Sequence, residues 1–474
     1  MNNRLEAIGI ITALQTLITK LLTVSESFAA IKQWLARLSS VINGLKNFNL
    51  SVSKSWQKSF IHQVQFSIFT QITESRLRLD LSSRKNLREI VQSFLILLIV
   101  LMPVIQRWEY ILIPLCFLWF SYTRPSLKTD RIWVVLIVFI MVSTVWRSEK
   151  NLNFQSVLSW LSWLVIYCLT GSTFKPVFSK RIIQFITISS LIWITIGIWQ
   201  QWGTPTPPGW LESGQNNLIA VRSYSVFKNP NNFALYLLSI ILFAMILLKN
   251  SNPGWRIVYF VILTLATLAL IFTYSRSAWI IGSLVLAMNF SKELRSKKGG
   301  LIGVGVIAVF LMIPGFIERL WSLKNILTGT MIYRLRIWQG VWKAISDDWL
   351  WGSGPGSFPW AYPWYQVEKF PSDHAHQFYL QFWLEYGLVS LLILIFSLRK
   401  LISGGDFHDE SMKSLKLILL VFLFYGFMET WTANSFLGGY FWLVAGIFAS
   451  YKSFHHSERK VNGDSINGGP VVNE

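Results

Sequence analysis

Two histidines one residue apart, His374 and His376, stand in the segment Asp373-His374-Ala375-His376-Gln377. The chain has only 6 histidines, and these two lie where a long, mostly polar stretch runs into an apolar one long enough to cross a membrane. Imidazole titrates near neutral pH, so a pair at such a boundary suits proton transfer at an interface. The simpler alternative is a helix N-terminus, capped by Ser372 or Asp373, with both rings merely solvated. Three arginines, Arg222, Arg276 and Arg334, carry complementary chemistry. Arg276 sits in Thr273-Tyr274-Ser275-Arg276-Ser277, between two apolar runs with little loop to let it escape. Its burial calls for an anion or carboxylate, the alternative being that it snorkels to lipid headgroups. A guanidinium fork matches phosphate oxygens, and several arginines can hold the two charges of a pyrophosphate. A neutral histidine beside them could then take the proton of an attacking hydroxyl. Together these residues describe group transfer from a phosphate-activated lipid at one membrane face. No ligand cluster at metal spacing is visible on that side, so no metal or other cofactor is expected.

Such a site needs a membrane frame. The 474 residues are 53% hydrophobic and 15% aromatic but only 14% charged, with 24 Trp and a mean hydropathy of +0.44. That balance is too apolar for a soluble domain of this length and reads as an all-α, polytopic membrane protein. Spans are expected near 92–106, 109–122, 132–146, 154–171, 182–199, 233–248, 256–273, 277–290, 301–317, 377–397, 415–430 and 435–451, about 12 in all. The basic cluster from Arg76 to Arg88 precedes the first span and should stay in the cytoplasm. Counting from there, the even-numbered connections carry Arg124/Lys128/Arg131, Lys175/Lys180/Arg181, Lys249/Arg256, Lys292/Arg295/Lys297/Lys298 and Arg399/Lys400/Lys413/Lys416. The positive-inside rule therefore supports this register throughout. The net charge of +20 is accordingly a topology signal and not a nucleic-acid footprint, because the basic residues are spread among short connections. Cys116 and Cys168 fall inside apolar runs, so neither a disulfide framework nor a cysteine metal site is indicated.

Three regions follow. Residues 1–90 form a cytoplasmic region in which Ile11, Leu14, Leu17, Ile18, Leu21 and Leu22 recur at helical spacing, as in an amphipathic surface helix. Residues 91–452 form the transmembrane domain. Residues 453–474 read as a disordered cytoplasmic tail. Both long connections, 200–232 and 318–376, fall outside, the second being a large external loop between the ninth and tenth helices. In the first, Pro230 with Asn231 and Asn232 signals a helix start. In the second, Gly352-Ser353-Gly354-Pro355-Gly356 reads as a simple turn more than a phosphate loop, since no parallel-sheet unit surrounds it. Asp347 and Asp348, as neighbours, would point apart on a helix and read as surface or capping residues. Glu385 lies too far along the following helix to touch His376. Glu429, at the external end of the eleventh span, could either orient an arginine or histidine or be a simple interfacial charge.

Several of these segments carry a resemblance. Arg222 through Asn232, Tyr274-Ser275-Arg276-Ser277-Ala278-Trp279, Arg334 through Trp338, Gly352 through Gly356 and His374 through Gly387 resemble the successive motifs of the O-antigen ligase superfamily. That superfamily includes O-antigen ligases, polysaccharide polymerases, protein O-glycosyltransferases and a cyanobacterial branch labelled as inorganic-carbon transporters. The resemblance runs from about 200 to 450. It implies an integral-membrane glycosyltransferase that moves a glycan from an undecaprenyl (polyprenyl) pyrophosphate carrier to an acceptor hydroxyl on a lipid, polysaccharide or protein. The setting implied is cell-envelope polysaccharide biosynthesis at a bacterial plasma membrane, with both termini cytoplasmic and the long loops periplasmic. Carried over residue by residue, Arg222 and Arg276 bind the pyrophosphate and His376 activates the acceptor; Arg334, on the same side by the register, is expected to assist. The family shows His-Asn where this chain has His376-Gln377, a departure that keeps His374 as an alternative base. The alternatives to glycan transfer are a small-anion transporter, for bicarbonate, using the same arginines, and a non-catalytic scaffold in envelope assembly.

Overall fold

The computed structural model describes residues 154–173, 176–203, 221–289, 330–368, 370–403 and 410–467, with Trp133, Val135, Leu136 and Ile140, all within the compact unit Leu81–Glu474. The expected amphipathic segment in 1–90, the spans near 92–106, 109–122 and 301–317, and most of 132–146 lie outside the described residues. The remaining expected spans each fall on a helix. These are α1 (Phe154–Thr173), α2 (Pro176–Gly203), α3 (Pro230–Lys249), α4 (Pro253–Phe272), α5 (Arg276–Asn289), α8 (Phe378–Ile402), α9 (Glu410–Tyr425) and α10 (Ser435–Asn467). Between them come α6 (Thr330–Asp347) and the short α7 (Phe358–Ala361). Among the described residues, four helices, Lys180–Gly203, Pro230–Lys249, Pro253–Phe272 and Phe378–Ile402, are long and apolar enough to cross a membrane.

Helix α3 is the centre of the bundle. It is apolar all round, the signature of a helix enclosed by others, and Phe233, Leu235, Leu237, Ile240 and Phe243 are fully buried. Its start follows the sequence signal: Pro230 occupies the first turn, where its missing N–H costs nothing, and the Asn229 side chain accepts from Asn231 N at 2.8 Å. Helices α2, α4 and α9 pack against it, while α1 lies along α10. Small residues allow that last approach. A Cβ on Gly438 would lie 2.1 Å from the Trp163 ring, and one on Gly446 would lie 1.7 Å from Thr170 Oγ1. Without a strong hydrophobic drive between helices in lipid, such close contact is what holds two of them together.

Two expectations need correction. The connection at 318–376, expected to be a large external loop, contains the helix α6, whose buried face, Ile337, Val341, Ala344 and Ile345, recurs at helical spacing and packs with Phe358, Tyr362, Leu380 and Leu384 in a satellite core. The tail expected to be disordered from 453 is helical as far as Asn467, because residues 452–462 contain neither proline nor glycine to stop the helix begun at Ser435.

Helix α8 is broken at Gly387, whose φ of 77° and ψ of 170° are not helical. The interrupted hydrogen-bond ladder is taken over by the turn after α6. Leu388 N donates to Trp349 O, Ser353 N to Leu384 O and Gly354 N to Glu385 O, at 3.0, 2.7 and 2.9 Å. Broken backbone at membrane depth is tolerated only where protein re-satisfies it. The fit leaves no room for side chains: a Cβ on Gly387 would sit 2.1 Å from Leu350 O. The glycine-rich turn at 352–356 is thus a plug for the α8 break. Glu385 completes it by accepting from Gly356 N and from Gln381 Nε2, both at 3.0 Å.

Candidate functional site

At the end of the bundle where α3, α5, α8 and α10 begin and α4 and α9 finish, polar groups from the start of α3, from α6 and from the histidine segment converge on one carboxylate. Glu429 follows α9 and is 1% exposed. Its Oε1 lies 3.0 Å from His376 Nδ1 and 3.2 Å from His374 Nε2. Its Oε2 accepts from Asn231 Nδ2 at 2.8 Å and pairs with Arg334 Nη2 at 3.6 Å. A buried carboxylate persists only when paired and hydrogen-bonded, and this one is paired on both oxygens.

Asn231 links this carboxylate to the arginine side of the site. Its Oδ1 accepts from Ser275 Oγ at 3.0 Å and from Arg222 Nη2 at 3.5 Å. The Tyr425 hydroxyl donates to the Asn231 carbonyl and lies 3.0 Å from Ser275 Oγ, so α9 is tied to the start of α3 and to the α4–α5 turn. Arg222 is buried, and its Nε donates to Thr273 O at 2.9 Å. Arg276 opens α5 immediately after Ser275 and is half-buried.

The histidine segment is held from three sides. Trp338 of α6 donates to Ala375 O at 3.0 Å, and Gln381 of α8 accepts from Ala375 N at 3.0 Å. Tyr333 of α6 bonds Pro371 O. Gln377 N donates to Thr430 Oγ1 at 3.0 Å, beside Glu429. The N-cap of α8 is Gln377, whose side chain accepts from Leu380 N, and not Ser372 or Asp373 as a simple capped helix start would have it. Ser372 Oγ instead donates to His374 O at 2.7 Å. Gln377 at the point of departure from the family pattern is therefore the residue that starts the helix. Strain marks the same segments. Ser225, Lys228, Tyr274 and His376 all have left-handed φ, between 49° and 58°, a conformation that costs a non-glycine residue about 1–3 kcal/mol and that surrounding contacts must over-determine.

Charge balance follows from these contacts. Burial would raise the Glu429 carboxyl, but His376, His374 and Arg334 together hold it well below the usual carboxylate range. Burial pushes the His376 imidazole below its ordinary value; Glu429 pulls it upward, and His374 and Arg334 push it down again. An ionised carboxylate only accepts, so His376 meets it with Nδ1–H and a neutral ring keeps its lone pair on Nε2. That tautomer is the one a general base requires.

The comparisons fit this frame. No curated protein matches the chain. Residues 260–395 match the family model described as O-antigen ligase. That stretch is a domain similar to the O-antigen ligase family. The matched stretch of this O-antigen ligase domain contains Arg276, Arg334, His374 and His376, whereas Arg222, Asn231 and Glu429 reach the same site from outside it. The family match and the apolar helices support an integral membrane protein. The family's chemistry implies a lipid-linked glycan donor and an acceptor in a membrane.

Of the residues singled out from sequence, the fold brings Arg222, Arg334, His374 and His376 into one hydrogen-bonded network and sets Arg276 next to Ser275 within it. Ser275, Tyr425 and Asn231 were not among them. The signal for the first two is faint, but an asparagine directly after a helix-starting proline at the head of a wholly apolar helix is a polar group that needs a partner. His374, His376 and Glu429 also form a three-donor group that could hold a metal ion, with donor atoms all within 4.8 Å of one another. The spacing of the histidines alone does not show this, because the third donor lies 53 residues beyond His376.

Proposed function

We propose that the protein transfers a glycan from a polyprenyl pyrophosphate carrier to an acceptor hydroxyl at the external face of the membrane, taken to be the periplasmic face of a bacterial plasma membrane. The observation that carries this reading is the 3.0 Å contact between His376 Nδ1 and the buried Glu429 carboxylate, which presents Nε2 as a base beside a group of arginines. In the reaction, Nε2 takes the proton of the acceptor hydroxyl as its oxygen bonds to the anomeric carbon. The bond from that carbon to the pyrophosphate breaks, and the leaving group carries off the electron pair. Arg222 and Arg276 neutralise the departing charge. Arg334, paired with Glu429, assists by fixing the carboxylate that orients the base. His374 shares the same oxygen and is the reserve base. The family match gives the anion-transport alternative no support.

His376→Ala tests the assignment. Transfer should fall by about 10²–10⁴-fold, the usual contribution of a general base, with lipid-linked glycan accumulating in cells that carry the variant. Normal surface polysaccharide without such accumulation rejects the role of His376. The pH profile gives a second check. Because the folded His376 holds its proton less tightly than an ordinary histidine, whose value is 6.5, the basic form survives as pH falls through that value. The acid limb of the transfer rate should therefore lie below 6.5, and a limb at or above it contradicts the arrangement.

A further inference from the structure

We propose that His374, His376 and Glu429 form a binding site for a divalent transition-metal ion of the zinc class, and that its occupancy withdraws His376 from its role as base. The first half rests on geometry alone; the second rests on the transfer reading above. Glu429 divides its two oxygens. Oε2 is occupied by Asn231 and Arg334, at 2.8 and 3.6 Å, whereas Oε1 faces only the two imidazoles and the backbone N–H of Thr430, at 3.3 Å. An ion between Oε1 and the rings would leave the Oε2 contacts in place as outer support of the ligating carboxylate.

Two of the three donor edges are near the spacing of such an ion, and all three donors lie within 4.8 Å of one another. Donors around tetrahedral zinc sit about 2.0–2.2 Å from the metal, hence roughly 3.3 Å from each other. The O···N separations here are 3.0 and 3.2 Å, so those edges need to open by only tenths of an ångström. The ring centroids of the two histidines are 4.1 Å apart, and both side chains are about one-fifth exposed, which leaves the ion a path from water. Two nitrogens and one carboxylate oxygen favour zinc, cobalt or nickel over magnesium or calcium, which prefer all-oxygen shells.

The consequence for His376 is a change of tautomer. Metal binding needs the Nδ1 lone pair, so the proton now on Nδ1 must move to Nε2. No proton is gained or lost overall, but Nε2 changes from acceptor to donor and can no longer deprotonate a hydroxyl. Arg334 opposes the ion by charge, which holds the affinity down and keeps the site open to exchange.

The test uses the full chain purified in detergent, titrated with Co²⁺ as a spectroscopic probe and with Zn²⁺ in competition. Stoichiometric Co²⁺ binding with tetrahedral absorption bands is expected. His374→Ala should weaken it by at least about tenfold, with His374→Gln as a second variant should the first fail to fold. Arg334→Gln, which keeps all three donors, should tighten it while lowering transfer. Absence of stoichiometric binding, or binding indifferent to both His374 variants, overturns the site. Zn²⁺ that binds there without slowing transfer, or slowing that a chelator cannot reverse, overturns the switch. Should the chain transfer no glycan under any condition, the functional reading fails while the Co²⁺ spectrum still decides the site.

Discussion

Glu429→Gln should reduce glycan transfer by about 10³–10⁴-fold with the bundle still folded, comparable to the loss when the carboxylate orienting a catalytic histidine is made an amide. The substitution keeps size and shape, so the effect comes from hydrogen-bond direction. An amide has one accepting end and one donating end. If its NH₂ faces the rings, His376 Nδ1 must accept, which puts the proton on Nε2 and abolishes the base. If instead its NH₂ faces the other way, it meets Asn231 Nδ2 and Arg334 Nη2, both donors at 2.8 and 3.6 Å from the present oxygen. Neither orientation satisfies the site. Initial rates with a lipid-linked donor, set beside thermal unfolding in detergent, measure the two parts separately. A loss of less than about tenfold would mean that Glu429 does not set the tautomer of His376.

Asn231→Asp should be nearly as damaging and should also destabilise the protein, by about 3–5 kcal/mol. The change replaces one nitrogen by oxygen. It puts a second carboxylate 2.8 Å from Glu429 Oε2, in a partly buried place where Arg222, 3.5 Å from Asn231 Oδ1, and Arg334, 3.6 Å from Glu429 Oε2, are already engaged by the acceptors present. One of the two acids must then take up a proton. If that is Glu429, the histidines lose their acceptor and transfer falls by about 10²-fold or more. Asn231→Ala serves as the control: it removes the bridge to Ser275 and Arg222 without adding charge, so it should unfold at a higher temperature than the aspartate variant. Equal melting of the two would show that repulsion is not the cause.

How much of this was legible in the sequence depends on what each residue's role rests on. Helix α3 was readable because its signals are local: a proline start, an uninterrupted apolar run, and a lysine end. The histidines were readable as an interfacial pair, and the arginines as anion ligands, from residue type and position in the register. What joins them was readable only as one of two alternatives at Glu429 and not at Asn231 or Tyr425, because these residues act through contacts 53 to 198 residues away. A carboxylate at the end of a span looks the same whether it faces lipid headgroups or two imidazoles. The helix α6 was hidden for a different reason. Its apolar face is short and mixed with Arg334, Arg336 and Lys343, so polarity masked its period until α8 and the 358–362 turn supplied a partner. The tail beyond residue 452 shows the reverse error, where polar composition outweighed the lack of glycine or proline over 452–462.

The break at Gly387 has a mechanical consequence. A continuous α8 would be a rod of 25 residues with the histidine segment at its tip, and a 10° tilt about its far end would swing that tip by about 6–7 Å. Membranes change thickness, and helices tilt to follow. Gly387 turns the rod into a joint, and the turn at 349–354 bolts the upper piece to the layer above. Movement of the piece beyond Gly387 is taken up at the joint, so the contact between His376 and Glu429 is held by the packing of the 349–354 turn and not by the rest of α8.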